Sequence, residues 1–147
     1  MAGNPAFHMI PASVTAPISV TGAVTTAEID TVNATYGKAQ YTNIYFHFGL
    51  IGAAGLITAL KVQESDTSGS GHADITGASF STLPADGDDG TVWAITITNS
   101  AARKRYYDVA ATVGANASLV SILAFNCFPN IQPTTAAGLG LAGLVSV

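Results

Sequence analysis

Ala102-Arg103-Lys104-Arg105-Tyr106-Tyr107-Asp108-Val109-Ala110-Ala111-Thr112-Val113 is the stretch whose reading decides the fold. Three of the chain's 5 Lys/Arg residues stand in a row and lead straight into an alternating segment. In an extended strand Arg105, Tyr107, Val109, Ala111 and Val113 share one face. Lys104, Tyr106, Asp108, Ala110 and Thr112 share the other. A charged start running into a β-branched and aromatic strand has to be placed in a sheet before it is considered as a site.

Its surroundings supply the sheet. Thr91–Thr98 alternates with Trp93, Ile95 and Ile97 on one face, and a short link at Asn99–Ala102 makes it the expected hairpin partner of the opening stretch. Downstream, Gly114–Ala117 reads as a turn into a last strand, Ser118–Phe128, ended by Pro129 and Pro133. Upstream, Ile18–Thr21, Val24–Ile29, Tyr41–Phe48 and Leu56–Glu64 are strand candidates, and Asp74–Phe80 is a weaker one. Gly/Ser/Asp-rich loops separate them at Asp30–Lys38, Gly49–Gly55, Ser65–His72 and Leu83–Gly90. About eight short strands with no amphipathic helix predict an all-β chain, an antiparallel β-sandwich with jelly-roll-like topology. Residues 18–133 form one domain, with extended arms at 1–17 and 134–147. Pro5, Pro11 and Pro17 make the first arm unsuited to a helix or a central strand. Its Phe7, Met9 and Ile10 either tuck onto their own subunit or dock on a neighbour. The Gly/Ala/Leu-rich tail shows no strand or helix signature. It is either disordered or a second docking arm anchored by Leu139, Leu141, Leu144 and Val145.

Composition narrows the function. Only 10% of the 147 residues are charged, 48% are hydrophobic, and the net charge is −4. Average domains carry about 25% charged residues. Such a neutral surface is either covered by other subunits or rich in Thr, Ser, Asn and Gly. Mild acidity argues against nucleic acid, which needs a basic footprint. The apolar tracts Phe48–Leu60 and Ala136–Val147 fall short of the ~18 residues of a membrane span. A single Cys127 rules out an internal disulfide. With no basic-then-apolar opening segment, synthesis in a cytoplasm is expected.

Little in the chain suggests chemistry. His8, His47 and His72 are scattered, without metal-ligand spacing. Asp86-Gly87-Asp88-Asp89-Gly90 looks like half a calcium loop, but the position that would hold its closing Glu is Ile97. Glu64 and Asp66, two apart at a strand end, are expected to point together into solvent. The sequons at Asn33 and Asn116 are read as chance matches. No catalytic, cofactor-binding or metal residue is therefore assigned, and the protein is not read as an enzyme. Arg103, Lys104 and Arg105 are expected to pair with the acidic turn Asp86–Asp89, within the subunit or across an interface. Otherwise they are a solvated edge whose charges discourage stray strand pairing.

Two segments taken together carry a resemblance. Lys61-Val62-Gln63-Glu64-Ser65-Asp66 precedes a Gly/Ser turn. Further on, Arg103-Lys104-Arg105-Tyr106-Tyr107-Asp108-Val109 precedes a small-residue strand, then Ser118–Phe128 and a Pro-ended exit. Ala27-Glu28-Ile29-Asp30-Thr31 and Tyr41–Phe48 fall in consistent places upstream. This order resembles small capsid decoration (cement) type structural proteins of tailed bacteriophages over roughly residues 20–130, with Asp108 where that pattern more often has a cation. The resemblance implies a β-sandwich that oligomerises and sits on the outer surface of a virion's capsid. Its partners would be the major capsid protein and further copies of itself, a trimer favoured over a dimer, with no nucleic acid and no membrane. The resemblance does not reach the arms at 1–17 and 134–147; read from the residues themselves, the interface would be formed by Phe7, Met9, Ile10, Arg103, Lys104, Arg105, Leu139 and Leu141. The alternative reading is a carbohydrate- or receptor-binding β-module of a phage fibre or tail, using Tyr36, Tyr41, Tyr45 and Trp93, or a neck or tail component.

Overall fold

A computed structural model describes residues 9–24, 26–34, 36–52, 57–128 and 143–147. Phe7, Leu139 and Leu141 lie outside the described residues. The chain is all-β, its strands joined into a largely antiparallel sheet that curls until it is nearly closed into a barrel, as expected of a sandwich or jelly-roll-like fold. The strands are β1 (Met9–Val24), β2 (Ile29–Asp30), β3 (Val32–Asn33), β4 (Gly37–Lys38), β5 (Tyr41–Ile51), β6 (Ile57–Ser65), β7 (Ala73–Ser79), β8 (Val92–Thr98), β9 (Tyr106–Cys127) and β10 (Gly143–Ser146).

The spine is β9, 22 residues long. The sequence divided it at Gly114–Ala117, yet the chain does not turn back there. Instead β9 runs on within one sheet and changes partners. Its first half pairs with β6, from Ile57↔Val113 to Ser65↔Tyr106, and its second half pairs with β5, from Ile51↔Ser118 to Tyr41↔Cys127. The buried positions switch parity across the junction, from Tyr107, Val109, Ala111 and Val113 to Ser118, Val120, Ile122 and Ala124. On the other side β1 follows the corner through a register shift between Val20↔Ser118 and Gly22↔Val113. Gly22 takes φ +87°, a left-handed conformation with open space around it, so the requirement there is conformational. Gly114 and the exposed Asn116 and Ala117 let the strand bend where the buried parity switches.

Three further expectations change. β8 is not a hairpin partner of β9: it pairs with β5, Ile44↔Ile95 and Phe46↔Trp93, so a strand of distant sequence separates the two. The proline-bearing arm is largely an edge strand. Residues 9–24 pair only with β9 among the described strands, and the register slips between Pro11 and Ser13 and again between Thr15 and Ile18, around Pro17. A proline cannot donate to a ladder, so both sit at irregularities of an edge. Within the C-terminal tail, Gly143–Ser146 forms a strand parallel to β8. Val147 then donates to Thr96 O at 3.0 Å and accepts from Thr98 N at 2.6 Å. Its Cγ1 lies 3.0 Å from where a Cβ on Gly77 would sit, so β7 can approach the chain end this closely only because residue 77 has no side chain.

Inside, Ile44, Phe46, Phe48, Leu60, Val62, Ile95, Ile97 and Tyr107 are fully buried. Phe80 packs edge-on against both Phe46 and Trp93, with centroids 6.2 and 5.1 Å apart. Trp93 is therefore bound up with the core, and its indole N–H donates to Thr91 Oγ1 at 3.1 Å.

Candidate docking surface

Most of the charged groups lie around the first half of β9, where they tie loops together, while the acidic turn Asp86–Asp89 sits at the Ile51 end of β5. Arg105 forms a fork on Asp30, Nε to Oδ1 at 2.9 Å and Nη2 to Oδ2 at 2.7 Å, and stacks over the Tyr106 ring at 5.0 Å. That pairing holds the Asp30 carboxyl below its ordinary range, helped by the Val32 N–H it accepts. Arg103 Nη1 reaches Glu64 Oε1 at 3.3 Å, and the Lys104 N–H donates to Glu64 Oε2 at 3.1 Å. The cationic run therefore meets Glu64 and Asp30, not the expected Asp86–Asp89. In that turn Asp88 accepts from Ala85 N and Asp89 from Ile51 N. Glu64, only 14% exposed at its side chain, does not point into solvent with Asp66. It is drawn in because two donors of the 103–104 turn converge on it.

Glu28 binds the β6–β7 loop in the same way, accepting from Ser68 Oγ (2.6 Å) and Gly69 N (2.7 Å), with His72 Nε2 at 3.1 Å. Burial alone would raise this carboxyl; the loop donors and the His72 ring outweigh it and hold it lower.

Behind these ties runs a buried relay of hydrogen bonds. The Tyr107 hydroxyl donates to Asn99 Oδ1 (2.6 Å), Asn99 Nδ2 to Thr42 Oγ1 (2.9 Å), Thr42 Oγ1 to Asn126 Oδ1 (2.9 Å) and Asn126 Nδ2 to Asp30 O (2.7 Å). It joins β5, β9 and the segments flanking β2 and β8 at one end of the barrel. Burial pushes the Tyr107 hydroxyl well above the ordinary phenol range, so it stays a donor. None of these amides was singled out from the sequence. Their signal was available: Thr42 and Asn126 stand on inward positions of strong strands, where a polar side chain must find partners.

The strands β1, β5 and β8 and residues 109–127 of β9 carry no Lys, Arg, Asp or Glu, although His47 is exposed on β5 and Asp89 accepts from Ile51 N at its end. Their residues line up in rungs across the strands, mostly outward, with Asn43 and Cys127 buried. Val14 pairs with Leu123 and Leu123 with Tyr45; Pro11 pairs with Phe125 and Phe125 with Asn43; Met9 pairs with Cys127 and Cys127 with Tyr41. Val14 is 61% exposed, Leu119 42%, Met9 40% and Leu123 36%, and Leu50 stands out at the β5 bulge. Tyr45 meets Phe125 edge-on at 6.1 Å. Leu119 lies flat over Gly49, where a Cβ would come within 2.7 Å of its Cδ2. Asn43 Nδ2 donates to the buried Cys127 Sγ at 3.3 Å. Desolvation raises that thiol, which the Asn43 contact only partly offsets, so it is an unreactive packing group.

Of the sequence-predicted interface residues, Met9 thus lies on the uncharged face, while Ile10 pairs with Asn126 on the inward side. Arg103, Lys104 and Arg105 lie together on the other half. Among the four aromatics considered for sugar stacking, Trp93 and Tyr45 are packed against other rings. Tyr36 is 48% exposed, its ring 5.3 Å from Phe128. Among the described residues no group of three His, Cys, Asp or Glu is placed to hold a metal ion, and no helix is long and apolar enough to cross a membrane. Compared with family models, curated proteins and solved structures, the chain matches none.

Proposed function

We propose that this chain is a virion structural protein, a capsid decoration (cement) protein that binds the outer face of a phage head and bridges major capsid subunits. The observation that carries the reading is the segregation of charge. The ionic groups mostly tie loops within the subunit, and one half of a rigid β body offers an uncharged, partly apolar surface. Beside it stands the resemblance in Lys61–Asp66 and Arg103–Val109. The mechanism is physical. A protein that binds the assembled shell and not its free subunits stabilises the shell by mass action, and many symmetric copies add avidity. Met9, with Phe7 before it, supplies apolar anchors at the start of β1; Leu139 and Leu141 are the corresponding proposal for the tail.

Copy number tests this directly. Quantitative mass spectrometry of purified particles from the phage that encodes the chain should find it in hundreds of copies, as a lattice-wide decoration requires. Six or twelve copies would move it to the neck, and none would remove the virion reading.

A further inference from the structure

We propose that the uncharged outer face of β1, β9 and β5 packs against the same face of a second copy of this chain, about a two-fold axis. Single exposed apolar residues are ordinary on any protein surface. Here they are neighbours by register: Val14, Leu123 and Tyr45 form one rung across three strands, with Pro11 and Phe125 on the next and Leu119 towards the corner. The molecule contains its own control. Outward positions on the sheet around the first half of β9 carry Lys61, Gln63, Asp74 and Asp108, with Lys61 Nζ and Gln63 Nε2 both bonded to Asp74 at 2.7 Å. That is the polar pattern of a solvated sheet face. The face formed by the second half of β9 lacks it.

The chemistry of the face selects its occupant. A charged partner would have to leave its ions unpaired and desolvated there, which disfavours nucleic acid, an acidic peptide or an anionic membrane. A second copy presents a surface with no such ions. The area is also suitable. Three strands ~4.8 Å apart, with about ten residues each at ~3.4 Å, give roughly 500 Å² of sheet per copy, near the ~1,000 Å² total of a specific interface. Two such faces can stack at the ~10 Å spacing of packed sheets, and an isologous contact closes at two chains. The inference uses the same surface as the proposed function: a copy paired through this face would meet a shell through its arms and not through the face, so loss of dimerisation and loss of shell binding are separate readouts.

Sedimentation equilibrium of the full chain over a micromolar dilution series tests it, with Leu123→Arg, Val14→Asp and Thr76→Arg as variants. The native protein should sediment as two chains. Leu123→Arg and Val14→Asp should each reduce the mass to one chain with the melting transition retained. Thr76→Arg, exposed on β7, should leave two. Should Leu123→Arg fail to fold, the more exposed Val14 carries the test. A native mass other than two chains, a dimer that survives both substitutions, or one that Thr76→Arg also splits would each overturn the proposal.

Discussion

The two halves of β9 belong to one strand and solve different problems. Around residues 106–113 β9 pairs with β6 along its whole length on one side, while on the other it meets only the two residues of β2 and the last three of β1, with the 66–72 and 99–105 loops beside it. There the loops are tied by point contacts, Arg105 on Asp30, Arg103 on Glu64 and Glu28 on the 68–72 loop, and the Tyr107–Asn99–Thr42–Asn126 relay runs from this half into the other. Around 118–127 two long strands, β1 and β5, flank β9, and side-chain hydrogen bonds gather only at its end, on Asn126 and Cys127. Charge is used where loops must be tied beside the sheet. Where two long strands flank β9, the exposed side chains are mostly apolar, Val14, Leu119 and Leu123 among them, with His47 exposed on β5.

The comparison can be broken most forcefully from inside. Phe46→Ala, in the densely paired half, should cost about 3–5 kcal/mol in chemical denaturation, since it empties a fully buried site. In the other half Tyr107→Phe removes one hydroxyl and leaves Asn99 Oδ1 without its donor, for about 1–3 kcal/mol. If that substitution proves neutral, the relay is not what holds this end. Glu64→Gln should cost about 1–2 kcal/mol by stranding a half-buried Arg103, a loss that urea unfolding resolves.

Acid should act on the same half. The Glu28 and Asp30 carboxyls titrate below their ordinary values of 4.5 and 3.8 when folded, so the unfolded chain binds more protons. Their contribution is complete above those values and is lost as pH falls through the lower folded ones. The melting temperature should drop across that acidic window, and Glu28→Gln should flatten the drop. A profile unchanged by Glu28→Gln would mean that the loop is held by its backbone alone. The smallest effect belongs to the outer face: Val14→Thr, 61% exposed, should alter the stability of the separated chain by no more than about 0.5 kcal/mol.

Much of the strand content was legible because alternation is a local property. The inward set Tyr107, Val109, Ala111 and Val113 follows directly from the spacing in Arg103–Val113. Pairing was harder to read. Thr91–Thr98 sits next to that stretch in sequence, and proximity suggested a hairpin, whereas β5 takes the place beside β8. Gly114–Ala117 has turn composition, but the same small residues serve a corner equally well. Among the exposed apolar residues of that face, the sequence singled out Met9 and not Leu119, Leu123 or Val14. An outward Leu on a strand looks like a core residue until its register is known.

By itself the sequence determined the all-β class, the absence of charge from long stretches of strand, and the alternation that divides each strand into two faces. These depend on residue type and a period of two, which need no partner to be defined. Only the tertiary structure decided that β9 is continuous, that Arg103 and Arg105 answer to Glu64 and Asp30, and that the uncharged strands lie side by side as one surface. Each of these depends on contacts between residues far apart in the chain, and register across strands is set by the packing of the whole sheet rather than by any one segment.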